Sequence, residues 1–162
     1  MDKVVIVGAG QAGHACAKAL RAEGYAGEIL LLGAEADPPY ERPPLSKEAL
    51  LDEAPPDLPG RRPPLEGVTW RGGVEVAALD RATKRVRTRE GEEIGYDALV
   101  LATGGRAARP PIPGADDPRL PALRDIADAR AIRAGLRGGW KRLAVLGGGF
   151  IGLEVAAAAR LL

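Results

Sequence analysis

The first apolar run of the chain, Val4 to Val7 after Lys3, is short and aliphatic and reads as a strand. GAGQAG follows, and then the alanine-rich stretch Ala12 to Glu23. In it Ala12, Cys16, Ala19 and Leu20 recur at helical spacing, while Lys18 and Arg21 fall on other positions. Gly24 and Gly27 end that helix and let the chain turn back. Glu28 to Leu32 then reads as a second strand, and the connection is long enough to cross over a sheet.

The pattern changes between Pro38 and Pro64. PPYERPP, LSKEALLDEAPP and LPGRRPP carry prolines that remove backbone donors and resist a continuous element. Ser46 to Asp52 is expected to form a short helix capped by Ser46, with Glu48 in its first turn. Arg42, Ser46 and Lys47 suit anion contacts if this excursion folds back over the first glycine turn. Beyond it, Val68 to Leu79 and Lys84 to Thr88 read as strands joined by Asp80 to Thr83. Asp97 to Ala102 is a further buried strand ending in ATGG, whose Gly104 and Gly105 permit close backbone approach. Arg106 to Pro121 is a proline-rich linker, after which Asp125 caps a helix running toward Leu136. Arg142 to Leu146 is another short strand, followed by GGGFIG and a helix from Leu153 to Leu162.

Composition narrows the classes. Hydrophobic residues make up 46% of the 162 residues but aromatics only 4%, which suits helices packed on a buried sheet and argues against an aromatic-lined nucleic-acid surface. Lys and Arg total 23 against 22 Asp and Glu, and the spread of these charges gives no nucleic-acid footprint. The basic stretch Arg81 to Arg89 reads as a solvated strand or turn. Cys16 is the single cysteine, so an internal disulfide is excluded and a thiolate metal cluster is unsupported; a small buried apolar contact is expected there. No apolar run reaches the ~18 residues of a membrane span, and no signal peptide opens the chain, so a cytoplasmic protein is expected.

The chemistry lies in the two glycine turns. Gly8, Gly10 and Gly13 form G-x-G-x-x-G between a strand and a helix. Gly8 allows the tight turn, Gly10 removes a side chain from the path of a pyrophosphate, and Gly13 lets helix and sheet approach. The helix amino terminus offers backbone donors and a positive dipole to phosphate. The motif calls for an acidic residue farther on to bind ribose hydroxyls; Glu35 is better placed for this than Asp37. His14 is expected to face the surface. Gly147, Gly149 and Gly152 repeat the spacing, with Glu154 expected in the first turn of the following helix. Glu154 has two readings, a cap interaction or a hydrogen bond near a nicotinamide. Two such turns suggest two dinucleotides, such as a bound flavin and a diffusible pyridine nucleotide, with the hard chemistry carried by the cofactors.

VVIVGAGQAG, PPYERPPLSK, YDALVLATGG, the RxxxDA pattern in LRDIADA and VLGGGFIGLEVAAAA, in that order, resemble the amino-terminal part of the FAD-dependent ferredoxin reductases. That family includes rubredoxin and putidaredoxin reductases and reductase components of aromatic-ring dioxygenases and some cytochrome P450 systems. The resemblance implies an α/β fold, a Rossmann-like FAD-binding domain with a parallel sheet and a small antiparallel insertion over residues 1–110. A linker and helix over 111–140 and the first βα unit of an NAD(P)-binding domain over 141–162 would follow. It implies that Gly8, Gly10, Ala12 and Gly13 hold the FAD pyrophosphate, with Glu35 near the adenosine ribose. Arg42 and Lys47 would approach the flavin and phosphate region, Lys47 being the candidate catalytic residue of the flavin environment. Val76 would contact adenine through its backbone, Ala102, Thr103 and Gly104 would line the FAD crevice, and Arg124 would contact FAD. Gly147, Gly149, Gly152 and Glu154 would belong to the side of NADH or NADPH.

The implied activity is hydride transfer from NAD(P)H to FAD and onward electron transfer to a small iron–sulfur ferredoxin or rubredoxin, with no nucleic-acid or membrane partner. A lone Cys16 departs from the paired cysteines of disulfide-reducing relatives, and Leu51 to Leu65 lacks the acidic-aromatic segment often found before a GGVEV-like strand. Family members run well over twice this length, so a fragment, a truncated product or one half of a split arrangement is expected. Such a chain would expose Leu143, Val145, Phe150, Ile151, Leu153 and Val155 unless a complementary chain or a homodimer covers them. Weak FAD binding and poor turnover by this chain alone are expected in that case. The other reading is a nucleotide-binding or assembly module without catalysis.

Overall fold

Strand β1 (Lys3–Val7) is the centre of a four-stranded parallel sheet ordered β3-β2-β1-β7, with β2 at Glu28–Leu32, β3 at Val68–Arg71 and β7 at Ala98–Leu101. The computed structural model describes residues 2–52, 60–117 and 119–162. These fall into two compact units, Met1–Tyr40 with Arg61–Gly104, and Glu41–Gly60 with Gly105–Leu162.

In the first unit the unbroken apolar runs are explained by burial on both faces of the sheet. Val4, Ile6, Ile29 and Leu31 pack with Ala17 of helix α1 (Gln11–Ala22). Their neighbours Val5, Val7, Leu30 and Leu32 pack against Val86 and Ile94. Those two belong to a three-stranded antiparallel sheet, β4 (Val76–Asp80), β5 (Arg85–Thr88) and β6 (Glu93–Gly95). Each fully buried aliphatic side chain contributes about 1.5–3 kcal/mol of transfer free energy. Two polar anchors fix the edges. The Asp97 carboxylate accepts the backbone N–H groups of Asp2 and Lys3, both at 2.8 Å, and these hold its pKa below the usual carboxylate value. The Arg21 guanidinium donates to the carbonyls of Tyr25, Gly27 and Gly67, stapling the end of α1 to the turn before β2 and to the start of β3.

The structure corrects two expectations here and adds one strand that the sequence reading lacked. Val68 to Leu79 is not one strand: Gly73 takes φ +70°, and the chain leaves the parallel sheet after β3 to enter the antiparallel one at β4. Strand β6 carries one buried apolar residue, Ile94, between exposed Glu93 and Gly95, too short a pattern to be legible beforehand. His14 is buried, not surface-facing, with Nε2 at 3.3 Å from the Pro63 carbonyl oxygen. Cys16 packs, half-buried, against the α1 side of the core.

The second unit is helical. A 3₁₀ turn at Pro43–Ser46 leads into α2 (Glu48–Leu51), and α3 (Ile126–Arg137) and α4 (Phe150–Leu161) follow. Leu50, Ile132, Val155 and Ala158 form its core. Asp125 caps α3 as its sequence predicts, in a reciprocal box with Asp128. Arg133 and Arg137 of α3 donate to the carbonyl of Asp52, and Arg137 also to that of Leu51, satisfying the open carbonyl end of α2. Ser46 does not cap α2, because its hydroxyl is turned to Glu154. Val155 is buried rather than exposed, but Leu143, Val145, Phe150, Ile151 and Leu153 are exposed as expected, Phe150 at 88%. Arg142 to Leu146 does not form a strand: among the described residues no other strand pairs with it, and an unpaired extended segment has no ladder to define it. The stretch 53–59, within the proline-rich excursion, lies outside the described residues.

Candidate functional site

In the first unit β2 and β3 extend to one side of β1 and β7 lies on the other, so the strand order reverses beside β1. The crevice beyond the carboxyl ends at such a reversal is where open α/β sheets hold ligands. The first glycine turn occupies it. Gly8 has φ +109°, and its N–H bonds the Leu32 carbonyl at 2.8 Å. A β-carbon on Gly8 would lie 2.1 Å from the Ala102 carbonyl oxygen, and one on Gly13 would lie 1.9 Å from that of Gly8. These two glycines are therefore required by packing. Gly10 differs: a β-carbon there meets nothing within 4 Å, so packing gives no reason for glycine, whereas an approaching ligand does.

The donor set at this turn suits an anion. Helix α1 begins after Gly10 with no side-chain cap and no acidic residue in its first turn, leaving amide donors and the positive dipole end facing outward. Ala12 stands exposed in that first turn. Ala102, bonded through its N–H to the Val7 carbonyl at 2.7 Å, and the exposed Thr103 and Gly104 follow β7 beside Gly8. The turn and the end of β7 thus meet the chemical demands of a dinucleotide pyrophosphate.

Glu35 lies just past β2, half-buried. Its carbonyl accepts the Gly73 N–H at 2.9 Å, and its Oε2 accepts the Tyr40 hydroxyl proton. Tyr40 was not among the residues singled out in the sequence; an aromatic among prolines, in a chain nearly without aromatics, was the available signal. Val76 pairs with Thr88 at the start of β4, and its side chain packs on the sheet core.

In the second unit Gly147, Gly149 and Gly152 repeat the turn. Gly147 has φ +103°, Gly149 precedes α4 in extended conformation, and the Leu153 N–H bonds the Gly149 carbonyl at 3.1 Å as that of His14 bonds Gly10 at 3.0 Å. A β-carbon on Gly152 would lie 2.8 Å from the Gly147 carbonyl oxygen, while one on Gly149 would meet nothing within 4 Å. The copies diverge at the first glycine. The space that the Ala102 carbonyl fills beside Gly8 is open beside Gly147.

Glu154 lies past the first turn of α4, which contains no acidic residue, so the cap reading of this residue is set aside. Its Oε2 accepts the Ser46 hydroxyl proton and its Oε1 lies 3.6 Å from Lys47 Nζ. The Ser46 hydrogen bond, with the Lys47 charge adding to it, keeps the Glu154 carboxyl below its usual pKa. Nearby in sequence, Arg42 Nη1 donates to the Arg124 carbonyl at 2.7 Å, bringing these two predicted residues together through the backbone of one of them. A largely apolar groove of about 560 Å³ adjoins the second glycine turn, lined in part by Leu146, Gly147, Phe150 and Val155.

The first unit thus defines a Rossmann-like α/β fold, its parallel sheet covered by α1 on one face and by the small antiparallel sheet on the other, with a second copy of its glycine turn in the other unit. The pattern of the pyridine nucleotide-disulphide oxidoreductase family matches residues 2–162. The chain belongs to that family. It is 41% identical to the biphenyl dioxygenase system ferredoxin–NAD(+) reductase component of Paraburkholderia xenovorans, over 100% of this chain and 40% of that protein. A ferredoxin reductase structure from Rhodopseudomonas palustris superposes with a TM-score of 0.89 at 36% identity, over 99% of this chain and 40% of that one. The structure of a covalent putidaredoxin reductase–putidaredoxin complex aligns with a TM-score of 0.82 at 40% identity, over 98% of this chain and 40% of that one. The chain spans about two fifths of the length of these relatives.

Proposed function

We propose that this chain carries the FAD site of an NAD(P)H-dependent flavoprotein reductase, whose whole protein delivers electrons to a small iron–sulfur ferredoxin or rubredoxin. The observation that carries the reading is the first glycine turn: packing accounts for Gly8 and Gly13, while the open space beside Gly10 and the uncapped amides of α1 suit the close approach of a pyrophosphate. The names of the relatives, a ferredoxin–NAD(+) reductase component of a dioxygenase system and a ferredoxin reductase, support the acceptor class.

Gly8, Gly10, Ala12 and Gly13 would bind the pyrophosphate through backbone N–H groups, Glu35 would accept from the adenosine ribose, and Ala102, Thr103 and Gly104 would border the crevice. Val76 would meet the adenine through its backbone. Arg42 and Arg124 would add positive charge toward FAD. Lys47 would present its ammonium group to the flavin environment, its charge kept in place by Glu154. Bound FAD supplies the exchange between a two-electron hydride donor and a one-electron acceptor. Gly147, Gly149 and Gly152 would hold the pyrophosphate of NADH or NADPH. A cytoplasmic setting belongs to the same reading; among the described residues no helix is long and apolar enough to cross a membrane.

The test is an FAD titration of this chain followed by flavin fluorescence, paired with NADH- and NADPH-driven reduction of a ferredoxin by the whole protein. Saturable FAD binding by the chain and nucleotide-dependent ferredoxin reduction by the whole protein are expected. A whole protein that binds no flavin, or that binds it but reduces no iron–sulfur acceptor, would overturn the reading.

A further inference from the structure

We propose that Tyr40 is the positioning residue of the nucleotide ribose site, its buried hydroxyl holding the Glu35 carboxylate in the orientation that accepts from an adenosine ribose. The inference rests on the reading that Glu35 meets the ribose of a dinucleotide seated on the first glycine turn.

The main chain of both residues is fixed independently of their side chains. The Glu35 carbonyl accepts the Gly73 N–H at 2.9 Å, and the Gly33 carbonyl accepts that of Val74 at 2.8 Å, lacing the segment after β2 to the turn between β3 and β4. Tyr40 forms a backbone bridge with Arg61, and the Pro39 carbonyl accepts the Arg62 N–H at 2.7 Å. Tyr40 as a residue is 5% exposed, and a buried phenol requires a polar partner for its hydroxyl. That hydroxyl donates to Glu35 Oε2.

With its backbone held, a glutamate at a half-buried loop still retains rotamer freedom, which nucleotide binding would have to remove. A hydrogen bond from a rigid, buried donor to one carboxylate oxygen removes part of that freedom in advance, and the gain appears as affinity for the ribose hydroxyls. The bond is charge-assisted, and so among the stronger of its kind. It also leaves the site discriminating: the benefit exists only for a ligand carrying the hydroxyl that Glu35 accepts from.

The experiment measures the affinity of the full chain for ADP, 2′-deoxy-ADP and 3′-deoxy-ADP by competition with FAD, in the wild type, Tyr40→Phe and Glu35→Gln. The wild type should prefer ADP over at least one deoxy compound by about tenfold, the scale of one oriented hydrogen bond to a charged group. Tyr40→Phe should weaken ADP toward that deoxy compound while leaving the deoxy affinity unchanged. Glu35→Gln should reduce the same preference with Tyr40 intact. Equal weakening of all three nucleotides by Tyr40→Phe, or no weakening, overturns the positioning role and leaves the ribose reading standing. A wild type that does not discriminate, or that binds none of the nucleotides, overturns the ribose reading and this inference together. A second measurement keeps the hydroxyl at position 40: in a chain labelled with 3-fluorotyrosine, the Tyr40 fluorine resonance should shift more with ADP than with the discriminated deoxy compound. Identical shifts would also overturn the inference.

Discussion

A β-carbon on Gly13 would sit 1.9 Å from the Gly8 carbonyl oxygen, whereas one on Gly10, in the same turn, would meet nothing within 4 Å. The two substitutions should therefore separate folding from binding. Gly13→Ala forces backbone apart and should cost on the order of 1–3 kcal/mol or more in chemical denaturation. Gly10→Ala, at the N-cap of α1, should cost no more than about 1 kcal/mol, yet on the proposed reading it should weaken FAD at least about tenfold, because its methyl group would enter the path of the pyrophosphate. Glu154 gives a second residue-level test. Its carboxyl is held below the usual value by the Ser46 hydroxyl first and Lys47 second. A carboxyl lowered on folding contributes stability above its unfolded pKa, which is lost as the pH falls through the folded value. Ser46→Ala should raise the Glu154 titration toward the ordinary carboxylate range, as read by carbon NMR of the side-chain carboxyl. An unchanged titration would show that the hydroxyl does not act on this group.

At the scale of elements, the two glycine turns share φ near +100° at the first glycine and the same entry into a helix, yet only the first follows a strand. Turn and helix start are local properties of the glycine pattern. A strand is a property of its neighbours, and Arg142 to Leu146 has none among the described residues. Amide hydrogen exchange should accordingly be slow for Val5 and Ile6 and close to unprotected from Leu143 to Val145; protected amides in the latter segment would show that it is paired in solution. Helix α3 is a contrasting case, because its capping box lies within the sequence that forms it. Asp125→Ala should lower stability by about 1 kcal/mol, measured by urea unfolding.

Across the whole molecule, each unit closes its own core from segments distant in sequence. Leu50, in the proline-rich excursion, is fully buried with Ile132, Val155 and Ala158. Leu50→Ala should cost about 2–5 kcal/mol and raise amide exchange in α3 and α4, both detectable in the full chain. The hydrophobic pattern was enough to place β1, α1, β2, β5 and α3, since those elements rest on runs, periodicity and caps that neighbouring residues define. The two glycine turns were legible for the same reason, because a positive φ and a close approach leave a local residue pattern, and together with PPYERPPLSK, YDALVLATGG and LRDIADA in order they pointed to the family. The break between β3 and β4, the burial of His14 and Val155, and the absence of a strand before Gly147 were not legible. Each depends on which distant segment arrives beside it, and that is set by packing. The same holds within the candidate site: the sequence alone determined that Glu35, Lys47 and Glu154 were present to carry charge. Only the tertiary structure decided that Tyr40 and Ser46 hold two of those carboxylates, because a hydrogen bond depends on distance and direction in space, which spacing along the chain does not contain.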